Sequence, residues 1–174
     1  MRFLFFTAAA LLSVLSNATP TPQMGGGSRQ GYQGPYFAIT GAVGGVFPRL
    51  EIRTLQAKDE MWNLYLLAMM DFQAMDQNGI ASYFQIAGIH GMPWTSWDGV
   101  DGTAGAEKSS SEKGYCPHNQ LLFGPWHRPY LALFEQVLQS TAIKIADTFP
   151  DGNRAKYQDA AIQLRAAYWD WAAP

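Results

Sequence analysis

The sequence predicts a mainly α domain, an incomplete helical bundle, on three observations. Apolar residues recur at three- and four-residue steps in several separate stretches. Six tryptophans and an aromatic content of 14% supply a large core for a chain of this length. Strand signals are few, and the clearest, YFAITGAVGG at residues 36–45, reads as a strand-like extension against the domain.

Taken in order, residues 1–18 carry one positive charge (Arg2), an apolar run from Phe3 to Leu15, and small residues at Ser16 and Ala18. That is the pattern of a secretory signal peptide, which makes the protein an expected secreted one. A short internal core helix is the ordinary alternative, but the first acidic residue is Glu51. The run falls short of the roughly 20 apolar residues that a membrane span requires. Removing it leaves about 155 residues, enough for one domain. Residues 19–45 are rich in Pro, Gly, Gln and Ser and read as a flexible arm, with the domain proper at 46–174.

A first helix is expected over about 58–76, with Trp62, Leu66, Met69 and Phe72 on its apolar face. Asp59 and Glu60 sit near its start, where the positive end of the macrodipole favours them. Asn78-Gly79 is its stop signal. A second, shorter helix is expected over 82–89, with Ser82 as N-cap and His90 in the exit turn between Gly88 and Gly91. Residues 98–113 hold almost no apolar side chain and read as a long loop. The next helix should begin near His127, with Pro129 in its first turn and a stripe of His127, Tyr130, Leu131, Phe134 and Leu138. A last helix over about 154–166 places Tyr157, Ala161, Leu164 and Tyr168 on one side, leading into the aromatic cluster YWDW.

A formal charge of −2 and a pI near 5.8 leave no basic footprint for nucleic acid. Cys116 is the only cysteine, so an internal disulfide is impossible. The chemistry therefore rests on three histidines. Singly, each has a bland explanation: His90 as a helix-end residue bonded to a carbonyl, His127 as a satisfied core residue. Together they differ. His90 lies in a glycine-bracketed turn, His118 follows Cys116-Pro117, and His127 opens an amphipathic helix. Three imidazoles suit copper or zinc, and three protein ligands leave a position open for reaction.

The segments IAGIHGMPW, CPH, FGPWHRPYLALFEQ and YWDWA resemble the first-copper half of fungal tyrosinases. Those enzymes are type 3 copper proteins, alongside catechol oxidases and haemocyanins. Their first-copper signature is a His, four residues, a Phe, then an aromatic followed by His-Arg, with a Glu eight positions after that His. His118, Phe123, Trp126, His127, Arg128 and Glu135 supply it. Gly124 departs from the usual residue, which bears on the local turn.

This resemblance implies the mainly α type 3 copper fold, with His90, His118 and His127 holding one copper ion. It further implies a thioether between Cys116 and the His118 ring. Arg128 is expected to pair with Asp170 of YWDW and lock the helices, and Glu135 to form an ion pair or to support a ligand. The implied substrates are phenols and O₂. Such a centre uses two coppers and six histidines, so the expectation is a tyrosinase truncated before its second copper site, that half being missing or supplied in trans. Two alternatives stand beside it: a copper-binding module without catalysis, and a zinc site of Cys116 with the three histidines.

Overall fold

The computed structural model describes residues 36–94, 97 and 116–173. The expected signal peptide, most of the expected arm and the loop at 98–113 lie outside the described residues. Five helices follow in order: α1 (Ile52–Gln56), α2 (Asp59–Gln73), α3 (Tyr83–His90), α4 (Phe123–Ala146) and α5 (Asp151–Gln163). The only β-type pairing among the described residues is one parallel bridge, Glu51 to Tyr168. The mainly α expectation holds.

Local chemistry sets most of the boundaries. Glu51 caps α1 by accepting from the Arg53 amide, and Ser82 caps α3 by accepting from the Gln85 amide. The helix expected near His127 starts four residues earlier, at Phe123. A turn at Gln120 feeds it, with the Phe123 N–H donating to the Gln120 carbonyl at 3.1 Å. Pro125, not Pro129, therefore occupies the first turn, where a missing N–H is harmless. Pro129 lies inside the helix and forgoes one intrahelical bond. At the far end, α5 starts on Pro150, whose carbonyl accepts from both Asn153 and Arg154 at 2.9 Å. It stops at Gln163, and Leu164 turns to extended backbone. The chain is then free to run beside Leu50–Ile52, where Tyr168 exchanges two backbone bonds of 2.9 and 3.0 Å.

Two apolar clusters hold the helices. One joins α2, α4 and α5 through Leu64, Ala68, Leu138, Ala142, Ala146, Ala161 and Leu164. The fully buried alanines on α2 and α4 let the two backbones approach closely. The other cluster, Phe72, Ile86, Ile89, Leu133 and Val137, joins α2, α3 and α4. Each large buried side chain contributes about 1.5–3 kcal/mol. Two expected face residues, Leu66 and Leu131, are exposed instead. On α4 the buried line runs through Leu133, Val137 and Leu138, which rotates Leu131 outward.

Residues 38–45 are not a free arm. Gln136 accepts from the amides of Thr40 and Gly41 and donates to the Ala38 carbonyl. One helical turn on, buried Gln139 accepts from the Val43 amide and donates to its carbonyl. Buried Arg165 donates to the carbonyls of Val43 and Gly45 and lies over the Phe47 ring. Side-chain amides thus do for this extended segment what a neighbouring strand does in a sheet.

Candidate metal centre

The second cluster forms the floor on which α3 and α4 bring their histidines together. His90 is the last residue of α3, and His127 is the fifth residue of α4. His118 belongs to the irregular stretch between them, followed by Asn119 in the left-handed region at φ 56°, which asparagine tolerates. All three rings are half-buried. Their centroids form a nearly equilateral triangle with sides of 5.2, 5.2 and 5.3 Å.

Ring orientation is set by neighbours. The Nδ1 of His127 lies 2.7 Å from the Phe123 carbonyl, which only accepts, so Nδ1 carries the proton and donates. In the neutral ring Nε2 then carries the lone pair, the form that a metal requires. It faces the Nε2 of His90 at 3.2 Å. Two imidazole nitrogens bound about 2.0–2.1 Å from one ion at a tetrahedral angle lie about 3.3 Å apart. Cys116, only 3% exposed, brings its Sγ to 3.1 Å from His127 Nε2 and 3.5 Å from His118 Nε2. Ligand atoms of these four residues all fall within 4.8 Å of one another. The donor set fits a copper ion held by three neutral imidazoles.

Aromatic rings back the histidines on the α4 side. Tyr130 stacks on His90 at 5.3 Å, and Trp126 stacks on Tyr130 at 5.4 Å. Phe123 covers His127 at 4.1 Å. Burial, with lesser contributions from Tyr83 and Cys116, pushes the Tyr130 hydroxyl up to about 12. An open cavity of about 580 Å³ lies beside the histidines, lined by His118, Asn119, Gln120, Leu121 and Phe123.

The remaining expected residues separate. Arg128 and Asp170 are both exposed, and no ion pair joins them among the described residues. The Asp170 carboxylate accepts from the Ala172 amide instead, and its carbonyl accepts from Arg53. The helical lock falls to other groups. Glu135, buried, pairs with Arg49 at 2.8 Å and accepts from the Ala166 amide at 2.9 Å. Tyr130 and Trp126 escaped notice as wall residues, although Tyr130 stands three positions after His127 on one helical face. Arg49 and Arg165 carried no local signal.

Comparisons with known proteins identify the family. The family model for the common central domain of tyrosinase matches residues 80–174, which hold all three histidines, Cys116 and Glu135. A tyrosinase of Neurospora crassa is 48% identical over 78% of this chain, and one of Podospora anserina 47% over 76%. This chain spans only 22% and 24% of their respective lengths. Among solved structures, a mushroom tyrosinase crystallised in latent and active forms superposes with a TM-score of 0.67 at 39% identity, covering 77% of this chain and 34% of that one. A copper-depleted variant of Aspergillus oryzae tyrosinase complexed with L-tyrosine superposes with a TM-score of 0.68 at 32% identity, covering 78% and 34%.

Proposed function

The chain belongs to the tyrosinase family, as part of its common central domain, and on that premise we propose that it is the first-copper half of a secreted oxidase. Such an oxidase converts monophenols and o-diphenols to o-quinones with O₂. One observation carries the reading: the bare Nε2 of His127, fixed by the Phe123 carbonyl, stands 3.2 Å from His90 Nε2 beside His118. Export rests on residues 1–18, and no described helix is long and apolar enough to cross a membrane.

Copper, when bound, supplies one-electron redox chemistry and affinity for O₂. The chain's own groups prepare for it. With Nδ1 donating to the Phe123 carbonyl, the neutral His127 ring turns its Nε2 lone pair to the site. Tyr130 stacks on His90 and Phe123 leans over His127 at 34°, restricting the rotation of both imidazoles. Beside His118, the open cavity offers an apolar rim of Leu121 and Phe123, and the polar ends of Asn119 and Gln120, to a phenol ring. The L-tyrosine complex of the Aspergillus oryzae relative supports a phenolic occupant. The second set of copper ligands comes from further sequence in cis, or from another chain in trans.

Cys116 is assigned the thioether role. Its sulfur is in contact with the His118 ring, 3.5 Å from Nε2. Forming the C–S bond removes one hydrogen from the thiol and one from the ring carbon. The two electrons and two protons reduce O₂ to hydrogen peroxide. A thioether would hold the His118 ring in place.

A second reading has one observation in its favour: with Sγ at 3.1 Å from His127 Nε2, Cys116 can serve as fourth ligand of a closed zinc site. Metal analysis separates the two. Copper bound in a one-to-one ratio, lost in His127→Ala, with a mass two hydrogens below the calculated value, supports the copper and thioether reading. Zinc with a free thiolate, or a full copper load in His127→Ala, overturns it.

A further inference from the structure

A ligand set that handles O₂ is exposed to oxidising equivalents that miss the substrate, and the rings around it differ sharply in how easily they give up an electron. The buried members of the adjoining cluster, Ile86, Ile89, Leu133, Val137 and Phe72, resist one-electron oxidation, and Tyr83, Met69 and Met75 pack against them. The rings in contact with the histidines include tyrosine and tryptophan. Trp126 lies edge-on to His127 at 4.9 Å and 6.2 Å from His90. Trp97 follows at 5.7 Å from Trp126 and 6.3 Å from Tyr130. His90, Tyr130 and Trp126 form a near-parallel stack, with interplanar angles of 25° and 23°. Trp97 ends the series and, like Trp126 and Tyr130, is half-buried.

We propose that Trp126 and Trp97, with Tyr130 stacked between His90 and Trp126, are a relay that carries oxidising equivalents away from the histidines to the surface. The proposal rests on the copper reading above. With hydrogen peroxide as the oxidant, Trp126 gives one electron toward His127 and His90, and Trp97 refills Trp126. The Trp97 indole then releases its N–H proton to water and is left as a neutral radical. Two such passages deliver two electrons and two protons, which convert one hydrogen peroxide to two waters. An o-diphenol in solution restores Trp97 after each passage, giving up one hydrogen atom each time and leaving as the o-quinone after the second. Each passage spares the ligand imidazoles an oxidation that would otherwise land on them.

Exposure supplies the control. Trp169 and Trp171 are 74% and 93% exposed, so peroxide acting from solution should oxidise them before Trp97. The full chain, copper-loaded and metal-free, is treated with hydrogen peroxide without reductant, then digested and mapped by mass spectrometry, with freeze-quenched EPR on parallel samples. The relay requires oxidation at Trp97 to exceed that at Trp171 several-fold in the loaded protein, with the order reversed in the metal-free protein. It also requires a tryptophan radical signal whose hyperfine pattern changes in Trp97→Phe, where the unrefilled radical stays on Trp126. In Trp126→Phe, oxidation at Trp97 should fall several-fold while oxidised histidine rises at His90 and His127. Cys116 is a second oxidisable group at the site and is read in the same map. Oxidation that stops at Cys116 or follows exposure in the loaded wild-type protein overturns the relay while leaving copper binding intact. A chain that takes up no copper overturns the metal reading and the relay together.

Discussion

The Glu135 carboxylate meets the Arg49 guanidinium at 2.8 Å across 86 positions of sequence, with its second bond to the Ala166 amide. The arrangement ties the chain before α1, the middle of α4 and the exit of α5 to one carboxylate. Glu135→Ala leaves the Ala166 amide without its acceptor and removes a charge-assisted bond, at a cost of about 1.5–3 kcal/mol. Arg49→Ala costs less, about 1 kcal/mol, because that side chain is 44% exposed and solvent screens the pair. Urea denaturation of both variants and the double variant checks the order and should return a non-zero coupling.

The exposed positions of Arg128 and Asp170 give a contrasting expectation. Arg128→Ala should leave the unfolding free energy within about 0.5 kcal/mol of wild type and the copper content unchanged. A large loss of either would restore the ion pair expected from the sequence.

Two glycines test the docking of residues 38–45. Gly41 and Gly44 both have positive φ, at 76° and 87°. A Cβ at Gly41 meets open space, whereas one at Gly44 runs into Ile162. Gly41→Ala should therefore cost about 1–2 kcal/mol from backbone strain alone. Gly44→Ala adds an overpacking cost of about 1–3 kcal/mol. Thermal melts of the two variants side by side measure the difference.

Tyr130 sets an alkaline limit in the metal-free protein. Burial raises its hydroxyl from 10.0 to about 12, so between those values the folded state keeps a proton that the unfolded state has lost. The stability is present in full below pH 10 and declines as pH rises through about 12. Tyr130→Phe should flatten that part of the curve of denaturation midpoint against pH, and should remove one late-titrating tyrosinate from the absorbance titration.

Much of this was legible in the residues, and the failures share a cause. α2 and α3 carry their signals locally: acidic residues in a first turn, a serine cap, a glycine exit. The start of α4 was misplaced because Pro125 and Pro129 both look like first-turn prolines, and only the turn at Gln120 chooses between them. The three histidines were recognisable as a set: the signature links His118 to His127, whereas only its glycine-bracketed setting marked His90. Long-range partners were invisible. Arg128 and Asp170 are opposite charges in suggestive motifs, yet the pairing falls to Arg49 and Glu135. Likewise Gln136 and Gln139 look like ordinary helix-surface residues until residues 38–43 arrive to use their amides.

The location of the ligands has a consequence for motion. His90 is the last residue of α3, His118 lies outside any helix, and His127 sits within the first turns of α4. Helix ends fray, whereas the stretch from Leu133 to Ala146 is anchored in both apolar clusters. A bound ion therefore staples together three segments that open most easily without it. Amide hydrogen exchange along α4 should slow markedly on metal binding near His127, and hardly change beyond Val137.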